Sequence, residues 1–153
     1  MLKLSKSCYD QLRAHGEETY PNECCGILLG HAEAAANVVV QIVRAGNTRT
    51  DSAHNRYHIA PQELIAAQRA GRKSGLDIVG FYHSHPDHPA QWSTTDFAEA
   101  HWFGCSYVIT AVAQGKAEVT NVFLLRGTSE DDKRLEDQAL DISNLSNTSN
   151  EAL

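Results

Sequence analysis

The sequence predicts a mixed α/β domain in which a central sheet is flanked by helices. Three observations carry that expectation. Short apolar runs show the alternation or β-branched enrichment of strands, most clearly at 36–44 and 106–113. Between such runs lie segments with helical spacing, at 5–20, 61–73 and 93–103. The length, 153 residues, suits one domain with a self-sufficient core. The order helix, strand, strand, helix, strand, helix, strand, strand is that of a layered α/β arrangement.

The first helix, 5–20, turns Cys8, Tyr9 and Leu12 toward the core, with Ser5 or Ser7 as its cap, and Pro21 and Asn22 end it. Residues 23–30 (ECCGILLG) read as an apolar strand, and 36–44 (ANVVVQIVR) as a second. Ala45 to Arg56 is a polar loop, followed by a brief strand at Tyr57 to Ile59. Pro61 opens the second helix at the position that tolerates proline, and Gly75 closes it. Leu64, Ile65, Ala67 and Gln68 form its modest apolar face. Residues 76–83 (LDIVGFYH) are the central strand, and a loop with Pro86 and Pro89 leads to the third helix. Two strands, 106–113 and 117–126, turn at Gly115 and Lys116.

These elements place a domain at residues 1–127. Residues 128–153 are read as a polar, acidic, partly disordered tail, with Leu135, Ala139 and Ile142 at helical spacing that could dock it briefly and the last ten or so residues disordered. Seven acids and two bases fall in that tail, against twelve acids and eleven bases before it, so most of the net charge of −6 sits there. No basic stripe is present, which argues against a nucleic-acid partner. No apolar stretch approaches the ~20 residues of a membrane span. The N-terminus lacks the apolar core of a secretory signal, so a cytoplasmic protein is expected, with no membrane partner. Cys8, Cys24, Cys25 and Cys105 show no metal-binding spacing. Buried reduced thiols are the favoured reading, with a disulfide to Cys105 or Cys8 left open.

The chemistry is concentrated in FYHSHPDHPAQWSTTD, residues 81–96. On a strand, His83 and His85 face the same way and Ser84 faces the other. Ten residues lie between His85 and Asp96, enough for a loop that returns Asp96 to them from the first turn of a helix. Two histidines and one carboxylate are a three-ligand set for one catalytic zinc ion, Zn2+, which leaves a position for water. Amide hydrolysis also needs a base, and Glu23, an acid opening an apolar strand, is the candidate. Ser93 is placed to donate to the oxyanion. Each residue has a plainer reading. Ser93 and Asp96 form an S-x-x-D capping box, Glu23 is an ordinary strand residue, and the histidines make ordinary hydrogen bonds. His88 and Asp87 read as solvent-facing near substrate, His101 as a residue of the helix after Asp96, either packed or set behind the metal ligands, and His54 and His58 as surface histidines that could help bind the substrate tail. His15 and His31 carry no signal. Arg56 reads as a solvated arginine, and Trp92 and Trp102 are read first as packing residues.

Glu23, His83-x-His85 and Ser93-x-x-Asp96 together resemble the JAMM (MPN-plus) metalloprotease family: a distant glutamate, H-x-H, seven residues, serine, two residues, aspartate. The segment PNECCGILLG, with Gly26 and Gly30, is similar to that family's first-strand motif, and the likeness runs from about Leu4 to Leu125. Asn47 and Arg56 resemble weaker positions of that family near the substrate groove, while Trp92 departs from the proline that many members carry before the serine. The resemblance implies a cytidine-deaminase-like JAMM/MPN fold. It also implies a zinc-dependent isopeptidase that cleaves after the C-terminal Gly-Gly of a ubiquitin-like or sulfur-carrier protein, with Glu23 as general base and a zinc-activated water as nucleophile. The chain has no room for the insertions with which larger members hold ubiquitin, so a small β-grasp carrier is the expected partner. The alternative is a non-catalytic scaffold of the same fold, although such members usually lose the metal residues. A nucleoside deaminase would need H-x-E followed by P-C-x-x-C, whereas this chain has His83-x-His85 and no C-x-x-C. Oligomeric state and the identity of the carrier are not legible.

Overall fold

The computed structural model describes residues 1–47 and 57–144. The elements run β1 (Leu2–Ser5), α1 (Lys6–Thr19), β2 (Cys25–Glu33), β3 (Ala36–Ala45), α2 (Pro61–Lys73), β4 (Asp77–Pro86), α3 (Thr94–Glu99), β5 (Ser106–Ala113), β6 (Lys116–Arg126), β7 (Arg134–Gln138) and β8 (Leu140–Ser143). The strands form one mixed sheet in the order β7-β6-β5-β4-β2-β3-β1-β8. The pairs β1–β3, β1–β8 and β4–β5 are parallel and the rest antiparallel. The fold is the mixed α/β arrangement expected, with the sheet curled and helices on its faces.

Local chemistry explains most boundaries. Ser5 caps α1, its hydroxyl accepting the Cys8 N–H at 3.1 Å. Pro61 starts α2, and Gly75, at φ +72°, lets the chain leave it. Gln114 and Gly115 both have positive φ, the signature of a tight hairpin turn, so the β5–β6 turn falls one residue earlier than expected.

Four expectations change. β1 is an added element; Leu2 and Leu4 alternate over a span too short to register as a pattern. α3 stops at Glu99 rather than Phe103. Trp102 sets its ring edge-on to Phe81 at 5.3 Å, and its backbone N–H donates to the Tyr107 hydroxyl at 3.1 Å, so these anchors to the sheet draw the chain out of the helix. The helical spacing of Leu135, Ala139 and Ile142 does not give a helix. Residues Arg134–Gln138 pair with β6 and Leu140–Ser143 with β1, because those edges offer unpaired backbone groups. Tyr57 to Ile59 is no strand; Ile59 makes only an isolated bridge to Asn47. The loop from residue 48 to Arg56 and the end of the tail, 145–153, lie outside the described residues.

Two apolar layers follow from strand alternation. Leu4, Cys8, Leu12, Leu28, Tyr82 and Val108 pack between α1 and one face of the sheet. Cys25, Ile27, Ala67, Leu76, Phe81 and Tyr107 pack on the other face, with α2. All four cysteines are buried and none is in a disulfide. Burial pushes the thiols of Cys24, Cys25 and Cys105 up to about 11, 12 and 12, which leaves them unreactive near neutral pH.

His15, silent in the sequence, is buried on the α1 side, where its Nδ1 lies 2.7 Å from the Tyr82 hydroxyl. Tyr82→Phe strands that nitrogen, with an expected destabilisation of about 1–3 kcal/mol. The expected reading is a lower urea midpoint at unchanged slope; an unchanged midpoint would show the pair to be energetically neutral.

Candidate metal centre and active-site cleft

β4 fixes the first part of the site. Phe81, His83 and His85 alternate onto the α2 face. Ser84 turns to the α1 face, where its hydroxyl accepts the Cys24 N–H at 2.8 Å. Antiparallel β2 sets Cys25 opposite His83, and two residues further back this register brings Glu23 level with His85. The 60-residue gap between glutamate and histidines is thus closed by strand pairing. β4 and β5 are parallel, so their carboxyl ends open together and leave a crevice at the edge of the sheet.

The loop after β4 is tied in several places. The Asp87 N–H donates to the Val112 carbonyl at 2.7 Å. Its carboxylate accepts the Tyr20 hydroxyl at 2.5 Å and the Gln114 N–H at 2.8 Å. Asn121 Nδ2 donates to the Ala90 carbonyl at 3.0 Å. The chain then enters α3 through a complete capping box: Ser93 Oγ accepts the Asp96 N–H at 3.0 Å, and Asp96 Oδ2 accepts the Ser93 N–H at 2.9 Å.

The box does not withdraw Asp96 from the histidines. Oδ1 lies 3.3 Å from His83 Nε2, Oδ2 lies 3.1 Å from His85 Nε2, and the two Nε2 atoms are 3.1 Å apart. His85 Nδ1 is 2.8 Å from the Pro89 carbonyl, which can only accept, so Nδ1 carries a proton and the lone pair of a neutral His85 is on Nε2. His85 Nε2 and the Asp96 carboxylate therefore turn lone pairs toward a point that His83 Nε2 also faces, an arrangement that a proton or a metal ion among them would stabilise. Zinc–ligand distances of about 2.0–2.1 Å imply ligand atoms about 3.3 Å apart in a tetrahedron, close to the separations found. The donor set fits zinc.

Electrostatics agree. Burial opposes ionisation of Asp96, but hydrogen bonds to His83 and His85 outweigh it and hold the carboxyl well below the usual carboxylate range. Burial lowers His83 despite Asp96; for His85 burial opposes charge, but Asp96 and the Pro89 carbonyl raise it. Glu23 is 4% exposed, and its Oε1 has no hydrogen-bond partner among the described residues. Burial pushes this carboxyl up to about 8, with Asp96 and Glu99 adding to the rise and His85 opposing it. Glu23, His85 and Ser93 line one cleft of about 430 Å³, with His88, Gln91 and Thr95 on its walls. All five residues singled out by spacing meet at the carboxyl end of β4.

The chain matches a family model described as prokaryotic homologs of the JAB domain over residues 5–125. It is 32% identical over 114 residues to a desampylase from Haloferax volcanii, covering 71% of this chain and 78% of that protein. It is 30% identical over 102 residues to a probable TtuB-protein conjugate cleaving protease from Thermus thermophilus, covering 67% and 65%. Among solved structures, a Desulfitobacterium hafniense protein aligns with TM-score 0.81 and 26% identity over 95% of both chains. A JAB1/MPN domain protein from Archaeoglobus fulgidus aligns at TM-score 0.57 and 13% identity, over 93% of this chain and 96% of that one, a likeness of fold alone.

This chain belongs to the prokaryotic JAB family.

Other residues of the JAB domain fall into place around the centre. Tyr57, given only a passing strand role in the sequence, stacks on the His83 ring at 4.5 Å and 26°. Beside it a pocket of about 330 Å³ is lined by Tyr57, Ile59, Leu64, Phe81, Trp102 and Tyr107. Asp87 holds the loop rather than facing the cleft, and His88 is exposed on the cleft wall. His101 is exposed and pairs with Glu130 at 2.9 Å, so it does not pack. Trp92 lies 5.5 Å from the Phe97 ring, and the Asn47 side chain accepts the His58 N–H at 3.0 Å. His54 and Arg56 lie outside the described residues. Neither Tyr57 nor Lys133, a buried cation behind α3, sits in a motif that sequence reasoning recognises.

Proposed function

We propose that the chain is a zinc-dependent isopeptidase that hydrolyses the amide after the C-terminal Gly-Gly of a ubiquitin-like or sulfur-carrier protein. The observation that carries this reading is the convergence of His83, His85 and Asp96 on one point, beside a cleft that also holds a buried glutamate with an orphaned oxygen. The two curated relatives described above, one named a desampylase and one a conjugate-cleaving protease, support the substrate class.

His83, His85 and Asp96 would hold the ion, and the Pro89 carbonyl fixes the His85 ring with Nε2 turned toward His83 and Asp96. Bound zinc supplies Lewis acidity for water and for the scissile carbonyl. Glu23 takes the proton from the attacking water and passes it to the leaving nitrogen. In the cap, Ser93 Oγ is used as an acceptor, which leaves its O–H to donate to the developing oxyanion. One residue thus caps the helix and serves the reaction. No helix among the described residues is long and apolar enough to cross a membrane, and a cytoplasmic carrier protein is the partner proposed.

The test is hydrolysis of a β-grasp carrier joined through its Gly-Gly to a lysine peptide, followed with zinc-loaded protein before and after a strong chelator. Chelation is expected to abolish turnover and added zinc to restore it. Asp96→Ala is expected to lower zinc affinity by at least about 100-fold and to behave like the chelated protein. Turnover indifferent to chelation overturns the zinc reading; a zinc-loaded protein inert toward the conjugate favours the scaffold alternative.

A further inference from the structure

α3 carries Asp96 yet buries none of its own side chains. A helix of six residues is not stable alone, and its one large apolar side chain, Phe97, is only half-buried, so its position depends on ties at its two ends. The N-terminal tie is the Ser93–Asp96 capping box. The C-terminal tie comes from residues beyond the last strand that the sequence predicts. Lys133 reaches in with its side chain 3% exposed, and Nζ donates to the carbonyls of Ala98 at 3.3 Å and Ala100 at 3.1 Å. The ammonium also stands 4.9 Å over the ring of Phe97, the residue next to Asp96. Lysine donating to the last carbonyls of a helix is favourable both as a hydrogen bond and against the negative end of the helix.

A buried ammonium needs compensation, and the segment that delivers it supplies some. Glu130 Oε2 lies 2.8 Å from Nζ. Asp132 Oδ1 accepts the Thr128 N–H at 3.0 Å and the Ser129 N–H at 2.8 Å, which folds 128–133 into a tight turn. Gly127 makes the approach possible: its φ is +120°, and a Cβ there would lie 2.8 Å from Lys133 Cα.

We propose that Lys133 is a positioning residue for the metal centre, clamping the carbonyl end of α3 so that Asp96 stays set against His83 and His85. The inference rests on the zinc reading above, and the two are separable. A purely structural lysine would change the stability of the chain without changing the geometry at the metal.

The test uses the full chain. Zinc affinity is measured by competition with a chromophoric chelator, and ligand geometry by the visible bands of the cobalt(II)-loaded protein. Lys133→Met keeps the apolar stem and removes the donors; Lys133→Arg keeps charge and donors. The methionine variant is expected to bind zinc about 10–100-fold more weakly and to show shifted cobalt bands, and the arginine variant to recover most of both. A folded Lys133→Met protein with unchanged zinc affinity and cobalt bands overturns the proposal, whatever its melting temperature. Should that variant not fold, Glu130→Gln decides, since that side chain is 61% exposed. Severalfold weaker zinc binding supports the clamp, and unchanged binding overturns it. A wild-type chain that binds no zinc overturns both readings; a wild-type chain that binds it beside an unaffected Lys133→Met overturns only this one.

Discussion

Glu23→Gln is expected to remove hydrolysis and, in the same protein, to raise the melting temperature of the metal-free chain at neutral pH. The first effect follows from the role of base: glutamine keeps the shape and loses proton transfer, so turnover should fall by at least about 100-fold while zinc binding persists. The second follows from burial. Glu23 has its carboxyl pushed up to about 8 in the folded chain, against an ordinary value of 4.5. A pKa raised on folding contributes stability that is fully present below 4.5 and is lost as pH rises toward 8, because the folded state holds a proton that the unfolded state has released. At pH 7 that loss is on the order of 3 kcal/mol, the upper bound of what glutamine recovers, since its own buried amide needs partners too. In a chain of this length that is roughly 5–10 °C. The distinguishing measurement is the difference between variant and wild type at two pH values. It should be several degrees at about pH 7.5 and shrink toward zero at about pH 5. Equal differences at both would mean that Glu23 is not held as a buried acid. On the proposed mechanism, the stability sacrificed by the wild type is the cost of keeping a desolvated base beside the metal site.

That His83, His85, Ser93 and Asp96 lie together is legible in the sequence, because strand alternation and helix capping tie residue type to fixed spacing, whereas Glu23 stands out only as an acid at the head of an apolar strand. H-x-H works because a strand repeats every two residues, and S-x-x-D because the first turn of a helix brings its cap and third residue together. The register that brings Glu23 level with His85 is not legible, since strand pairing is a property of the sheet and not of the segment. α2 reads correctly at both ends, where Pro61 and Gly75 act through their own backbones. α3 reads too long because HWF continues a helical pattern, and only the fold shows that Trp102 is bound to Phe81 and Tyr107 instead. Tyr57 and Lys133 belong to no motif. Their importance comes from what lies next to them, the ring of His83 in one case and the carbonyls of α3 in the other.

The acidic stretch beyond Gly127 is the largest departure from the sequence reading, and it leads to the second large expected effect. A chain ending at Gly127 should lose its cooperative thermal transition, or melt at least about 10 °C lower than the full chain. β7 lies along β6 at one edge of the sheet, β8 lies along β1 at the other, and Ala139 alone joins them. One short stretch therefore satisfies both edges of a curled sheet. Removing it exposes two rows of backbone donors and acceptors, each pair worth about 0.5–1.5 kcal/mol net. It also opens the end of the curl, where Asn37 Nδ2 donates to Ser106 Oγ at 2.9 Å and Ser106 donates to Gln138 at 2.6 Å. The polar look of the segment misleads because only alternate residues of an edge strand need be apolar. Leu135 and Leu140 are half-buried, paired with Leu125 of β6 and Leu2 of β1, while Glu136 and Asp141 are exposed. The same truncation removes Lys133, so zinc affinity should fall with the melting temperature. A truncated chain that melts like the full one would mean that β1 to β6 close the sheet unaided, and that the boundary drawn at residue 127 separates a self-sufficient domain from an appendage.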